Sequence, residues 1–534
     1  MGQRRGTEKT PISNMSIPSF SGGINTSVNR REIADNEASI IRNFEFDESN
    51  DLVTRNGFST DGTGRSSPIG SIYVFSTETA FIGILYNYSN NLVSRPLVLG
   101  SETALGTFAN AGTGRWYWKQ LANVAVAATN GDTIQVVGGA PGTASVLAAA
   151  PDSRYIEEWE SRLFLVHSAN PNRVQCSDLG SATVWNTSGL TNPAQGITFD
   201  VAPGDGDKIT ALFAFKERLF IFKRRRIYIL RATALPITDP NNWEVAEYSK
   251  NIGCVNQSTV REVFDDVLFL SEAGLCSLSA AEGTGDFASA LISQKIFDIQ
   301  RLLQDSTELD IFSFTLIDRS QYWLCLQSGA TFGGVVVTFV LDYKRVRQSE
   351  LKWVSFTRLV PTAMDAYRID QDNIIYIIGD FVGGSNNRIG KYTANLLPSV
   401  RTFKDVINGV DTLISQTLET KLYTFDNPKL RKLFKEWALT VQLPNANDAE
   451  VNVSYSIPPS AQASNSYPPI LVEDIANYDT LRVLRRALLW GTSRKGRSIG
   501  FNIQINEIGH GIIIRNFEVM AALLSDPVTE DRLL

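Results

Sequence analysis

The groups that could attack, titrate or ligate are few in this chain and poorly spaced for the work. There are only two histidines, His167 and His510, and four cysteines, Cys176, Cys254, Cys276 and Cys325, none in a CxxC pair. A structural or catalytic zinc needs several such ligands close together, so no zinc site is expected. The cysteines read as reduced core residues. GRSIG (496–500) matches G-x-S-x-G, with His510 twelve residues beyond Ser498. A nucleophile elbow needs a strand, a sharp turn and then a helix. The IGFNIQINEI that follows Ser498 alternates like a strand, and no acid stands between Ser498 and His510 at workable spacing. The match reads as chance.

Other motifs read as turns. GGSNNRIGKYT (383–393) has five residues between Gly384 and Gly390, and Tyr392 follows Lys391, where a phosphate loop wants four and then Ser or Thr. SDLGSATVW (177–185) approaches the S-x-D-x-G-x-T-W box of sialidase-type propellers, but Asp178 is one place early and Thr183 is displaced from Gly180. That box marks a blade turn, and sialidase chemistry would also need an arginine cluster and a Tyr–Glu nucleophile pair, which nothing in the sequence gathers. GDGDK (204–208) sets Asp205 and Asp207 two apart, without the longer ligand set of an EF-hand; it reads as a surface loop, with an isolated calcium or magnesium site as the alternative. The basic run Lys223, Arg224, Arg225, Arg226 reads first as a solvated face, with nucleic acid or an acidic partner as the alternative. RKLFKEW (431–437) reads as an edge strand guarded by charge. Trp116, Trp118, Trp159 and Trp243 offer either a sugar-stacking surface or core packing, and blade-like spacing favours the core. No catalytic, cofactor-binding or metal-binding residue is assigned, and no cofactor is expected.

The elements that must carry these residues are strands. The chain has 534 residues, 43% of them hydrophobic and 20% charged, enough for sizeable cores. Phe, Tyr and Trp reach 10% and glycine is frequent, a composition of aromatic strands cut by turns. The net charge is −6, whereas proteins that grip phosphate backbones are usually basic over the binding face. The start, MGQRRGTEKT, lacks the apolar stretch of a secretion signal and, with Gly6, misses the myristoylation pattern. No segment is long and apolar enough to span a bilayer as a helix.

Residues 30–43 predict one short helix, with Ile33, Ala34, Ala38 and Ile41 on one face. FEFDESNDLV (44–53) predicts a hairpin. From residue 68 onwards one theme recurs, strand, polar turn, strand, in WESRLFLVHSANPNRVQCSD (159–178), FKERLFIFKRRRIYIL (215–230), FDDVLFLSEAGLCSL (264–278) and similar phrases. Their spacing of about 40 to 56 residues matches propeller blades. One small sheet cannot bury both faces, but sheets packed radially cover one another. The expected fold is all-β: a β-propeller of six to eight blades, with a further antiparallel β domain at the C-terminus and a short N-terminal arm. The expected division is 1–67 for arm and hairpin, 68–399 for the propeller and 400–534 for the C-terminal β region, either a closing blade or a separate β domain. A β-sandwich, or two stacked β domains, is the competing fold.

Residues 19–58 resemble the opening of phage tail proteins of the tail tubular protein B, or nozzle, type. The resemblance rests on Gly22, Gly23, Ile24 and Asn25, then Ile33, Asp35, Glu37 and Ala38, then Asn43, Arg55 and Gly57. Two blade phrases (159–178 and 264–278) and LETKLYTFDNPKLRKLFKEW (418–437) are also similar. The resemblance implies a non-enzymatic β-propeller subunit of a short-tailed phage virion, made in the host bacterial cytoplasm. It implies a homohexameric ring below the adaptor and portal, bearing fibres or spikes, with genomic DNA passing through the lumen without specific binding. Loops such as residues 379–388 are the expected gate. The alternative is a glycan-binding β-propeller module of a phage tail or receptor-recognition protein.

Overall fold

The computed structural model describes residues 12–524 except 62–63, 79–80, 97–100, 139–141, 187–191, 285–290, 305, 308–309, 329–333, 344–350, 369–373, 380–386, 394–400, 427, 445–447, 459–464, 467, 473–480, 489–494 and 507. It separates into two compact units, one of residues 60–338 and 358–394, the other of residues 1–59, 339–357 and 395–534.

The first unit is a β-propeller. Four-stranded antiparallel sheets follow one another along the chain, from Ile69–Ser76 to Thr103–Thr107, Tyr117–Leu121 to Thr143–Val146, Ser153–Trp159 to Thr198–Asp200, and Ile209–Phe215 to Trp243–Ser249. A three-stranded sheet runs from Arg261–Val263 to Gly274–Ser277. The pair Ile311–Leu316 and Gln321–Gln327, then the strands Ala363–Arg368, Ile374–Gly379 and Ile389–Tyr392, continue the series. The round closes on itself: Thr362 Oγ1 donates to the Ile69 carbonyl at 2.7 Å, and the Val74 amide donates to Asp365 Oδ2 at 2.6 Å. The blade number falls within the expected six to eight.

The blades form as they do because both faces of each inner strand pair are covered. Leu163, Phe164, Leu165 and Val166 are all fully buried, as are Leu219, Ile221 and Phe222. Such runs, apolar at every position, only suit strands that have a neighbouring sheet on either side. The shared phrases Trp159–Arg162 and Phe215–Arg218 close two-residue hairpins. Their central residues, Glu160–Ser161 and Lys216–Glu217, all take positive φ, the twist-matched turn geometry that glycine or asparagine normally fills. One core cluster runs without a break from Tyr117 to Leu230 across three sheets, and Trp159 and Trp243 meet in it at 5.2 Å between ring centroids.

The second unit is a sandwich of two sheets drawn from distant parts of the sequence. One contains Ile12–Ile17, Phe44–Phe46, Leu52–Thr54, Lys432–Gln442, Arg482–Ala487 and Ile513–Leu523. The other contains Glu37–Arg42, Lys352–Phe356, Gln416–Thr420, Ala449–Ser456 and Gly500–Ile505. Aromatic rings fill the space between them: Phe501 of one sheet lies 5.0 Å from Phe517 and 6.5 Å from Trp437 of the other.

Several expectations change here. The hairpin at 44–53 forms, with Phe44 opposite Thr54. The helix at 30–43 does not: Glu37–Arg42 is a strand, with Ile41 opposite Leu418. The apolar spacing suited either form, and pairing with Gln416–Thr420 decides it for β-branched Ile40 and Ile41. Lys432–Gln442 is not an edge strand, because it runs between Ile513–Leu523 and Arg482–Ala487. A linear division at residues 67 and 399 gives way to two units that share the chain in alternation.

Candidate functional site on the propeller axis

The inner strands turn alternate side chains towards the propeller axis. On Tyr117–Leu121 and the residues before it these are Arg115, Tyr117 and Lys119; on Ile311–Leu316 they include Phe312 and Phe314. Together with Tyr73, Glu157, Phe213, Arg261 and Asp365 they line a cavity of about 400 Å³. A second cavity, of about 640 Å³, is lined by earlier positions of the same strands, among them Tyr155, Ile209, Thr210 and Ile311, and by Gln300 and Gln304.

A polar layer lies across the axis at this level. The Tyr117 hydroxyl donates to Asn256 Oδ1 at 3.0 Å, and Arg115 Nη2 reaches the Ile311 carbonyl at 3.3 Å. Neither pair belongs to neighbouring blades, so both bonds cross the middle of the round. Gln257, in the short 3-10 turn Gln257–Thr259, donates to the Ile156 carbonyl at 2.9 Å and accepts the Leu212 amide at 3.3 Å. Ser258 Oγ donates to the Ile311 carbonyl at 2.8 Å, and Ser313 Oγ returns a bond to the Ser258 carbonyl at 2.9 Å.

The smaller cavity mixes rings with buried charge. Tyr73 is stacked on Trp118, centroids 5.7 Å apart and planes 10° from parallel, and Tyr73, Phe213 and Phe314 keep partial exposure. Glu157 pairs with Lys119, and burial, partly offset by that lysine, raises its carboxyl above the usual range. Asp365 accepts the Val74 amide at 2.6 Å and the Ala366 amide at 2.8 Å. Burial nevertheless lifts its carboxyl to about 6, with those two amides and Arg261 pulling the other way. Arg115 is spent on main-chain carbonyls, Thr362 and Ile311 among them, and stacks on Phe312 at 5.0 Å. Among the described residues Arg261 bonds through Nε, which donates to the Ser313 carbonyl at 3.0 Å, while its guanidinium lies 5.8 Å from both Phe312 and Phe314.

The residues singled out by sequence go elsewhere. Lys223 is fully buried: its Nζ bonds Asp205 at 2.8 and 2.9 Å and the Ala202 carbonyl at 3.0 Å. Burial works against the Asp205 charge, but Lys223, the Asp207 amide and the Tyr228 hydroxyl hold its carboxyl below the usual range. Asp207 accepts the Arg225 amide at 2.8 Å. Both aspartates of GDGDK therefore brace a loop. Arg224 and Arg225 pair with Glu272 at 2.5 and 3.3 Å, and Arg226 pairs with Glu247 at 3.0 Å. The KRRR run is thus one internal lysine, two exposed arginines and a half-buried third, all three arginines acid-paired. Asp178 accepts bonds from Asn186 and from the Gly196 amide at 2.8 Å, the work of a blade turn. Ser498 is buried ahead of the strand Gly500–Ile505, and His510 Nδ1 contacts the Asp448 carbonyl, so the two form no elbow. All four cysteines are buried and unbridged. Trp116 and Trp118 belong to one core cluster and also border the cavity, whereas Trp159 belongs to another, against which Trp243 packs. Of the gate expected at 379–388, residues 380–386 lie outside the described residues, and of the glycine run at 383–393 so does Gly384, while Gly390, Lys391 and Tyr392 stand in the strand Ile389–Tyr392. Among the described residues no group of three potential metal ligands occurs.

The residues that carried the family resemblance converge in the sandwich. Asn25 Nδ2 donates to Glu37 Oε2 at 2.7 Å, which also accepts the Ala34 amide at 3.0 Å. Asp35 pairs with Lys421 at 2.7 Å. Asn43 Nδ2 donates to Thr357 Oγ1 at 3.0 Å and to the Ser415 carbonyl at 2.6 Å. Arg55 forms a two-pronged pair with Asp405 at 2.9 and 2.7 Å, both side chains wholly buried. Gly57 passes so close to Lys404 that an added Cβ would stand 1.8 Å from its carbonyl oxygen. Each of these contacts ties the N-terminal segment to chain three hundred or more residues away, or braces the turn that leads into it.

Comparison with known proteins places no family on this chain: no family model matches, and no curated protein matches. Among solved structures, PorZ, a bacterial surface component of the type-IX secretion system of Porphyromonas gingivalis, is similar at 11% identity and a TM-score of 0.34, over 70% of this chain. The chain spans 43% of the length of PorZ. An exo-β-1,3-galactanase from Phanerochaete chrysosporium is similar at 11% identity and a TM-score of 0.25, over 90% of this chain and 99% of that one. The Neurospora crassa Pan2 WD40 domain is similar at 9% identity and a TM-score of 0.33, over 62% of this chain and 90% of that one. The propeller assignment stands on the strand pairing and not on these likenesses.

Proposed function

We propose that the chain is a non-catalytic, glycan-binding β-propeller module of a phage tail or receptor-recognition protein. The observation that supports this best is the axial cavity, where partly exposed aromatic faces stand beside fixed charged and polar groups. Sugars present apolar C–H faces and hydroxyl edges, and a concave site mixing rings with a few oriented polar groups suits both. Binding is favoured over turnover because the cavity carboxylates are already engaged, Glu157 by Lys119 and Asp365 by two amides. A glycan array with the purified protein is the test. A bound glycan should lose affinity about tenfold in Phe314→Ala, and release of reducing ends would refute the non-catalytic part.

A second reading, a ring subunit of a short-tailed phage nozzle, is favoured by a different observation. Asn25, Glu37, Asn43, Arg55 and Gly57, which carry the resemblance, act as one framework in the sandwich. On this reading copies associate head to tail around a DNA-conducting lumen, next to adaptor and portal and bearing fibres or spikes. Electron microscopy of the purified protein decides it: closed sixfold rings support the nozzle, and discrete monomers at high concentration refute it.

A further inference from the structure

Of the three cations around the axial cavity, two are committed. Arg115 is held by main-chain carbonyls, and Lys119 by Glu157. Arg261 differs. Its Nε is fixed on Ser313, its plane is flanked by Phe312 and Phe314, and its two terminal nitrogens have no hydrogen-bond partner among the described residues. A guanidinium held in place with its fork open is pre-organised for a planar anion, since little side-chain freedom is lost when two parallel bonds form. The Arg115, Lys119 and Arg261 charges also outnumber those of Glu157 and Asp365.

We propose that Arg261 receives the carboxylate of an acidic saccharide, a uronic or related sugar acid, whose ring lies against Phe314 and Tyr73. This rests on the glycan-binding reading and narrows its substrate class. Asp365 is the group that opposes the incoming carboxylate. The charged and titratable groups facing it from the surrounding strands are Arg261, Arg115, Lys119, Glu157 and Tyr73. Because its carboxyl lies at about 6, it is mostly ionised at pH 7.5 and mostly neutral at pH 5. The sugar carboxylate remains charged across that interval, so binding strengthens as the pH falls.

The test is titration calorimetry with uronate oligosaccharides and with the same oligosaccharides after reduction of their carboxyl groups. The protein binds the acidic form about tenfold or more tightly than the reduced form, and the preference widens from pH 7.5 to pH 5. Arg261→Gln removes the preference while keeping affinity for the reduced form, which also shows that the variant is folded; Arg261→Lys restores part of it. Equal binding of the two forms, or preference for the reduced form, overturns the inference and leaves glycan binding standing. Binding of neither form, nor of anything on a broad glycan array, overturns both.

Discussion

Arg55 and Asp405 are both removed from water, so each charge depends on the other. Taking away one partner strands the remaining charge, at a cost of about 3–5 kcal/mol. Asp405→Ala should therefore lower the urea midpoint sharply, whereas the double change Arg55→Met with Asp405→Leu should recover much of it. The same logic separates the members of the KRRR run. Lys223→Ala, which leaves the Asp205 carboxylate to the Asp207 amide and the Tyr228 hydroxyl alone, should destabilise by up to about 3–5 kcal/mol. Arg225→Ala, exposed at the surface, should stay within about 0.5 kcal/mol. Equal effects of the two changes would refute the assignment of Lys223 to the interior. Asp365 gives a pH dependence of defined sign. Its folded pKa of about 6 lies above the ordinary 3.8, so the folded state holds the proton more tightly. The resulting stability is complete below about pH 4 and is lost as the pH rises through 6. Asp365→Asn should flatten the stability profile across that window, measured by urea titration from pH 4 to 7.

At the scale of elements, Gly57 shows how tightly strands are set against turns. Ser59 pairs in parallel with Val406, and the close approach of Gly57 to Lys404 is what permits it. Gly57→Ala meets rigid backbone and should cost about 1–3 kcal/mol or more by overpacking, with loss of amide protection in residues 404–407 as the local readout. Elements are also where the sequence was most and least legible. Blade strands announce themselves because runs such as LFLV and LFIF are apolar throughout and end in short turns. Glu37–Arg42 did not, since its identity depends on a partner some 380 residues later that no local pattern reveals. The site was still less legible. Trp116 and Trp159 attracted attention by type, yet Tyr73, Phe213, Arg261 and Phe314 matter by position. Nothing short of knowing which strands face the axis, and at which parity, distinguishes them from core residues. Alternation around Arg115, Tyr117 and Lys119 was the one usable signal.

The whole molecule is assembled from interleaved stretches of chain. The propeller is built from nearly consecutive sheets, while the sandwich needs Ile12–Ile17 to find Ile513–Leu523, Met15 lying opposite Val519. Such separated pairing forms late, after the loop-closure cost has been met by other contacts. A chain ending at residue 512 should thus keep hydrogen-exchange protection in the propeller strands Arg162–His167 and Arg218–Lys223, and lose it in Glu37–Arg42. Simultaneous loss in both would show that the two units fold as one.

The polar layer spanning the propeller axis has a geometric consequence for any guest. With Tyr117 bonded to Asn256 and Arg115 to Ile311, a chamber on one side of the hub has a floor. A polymer cannot be threaded through a floored chamber; it can only be docked by its tip. Recognition there would count termini and ignore the interior repeats of a long strand, so shortening a polymer at constant mass should multiply the places where it can be held.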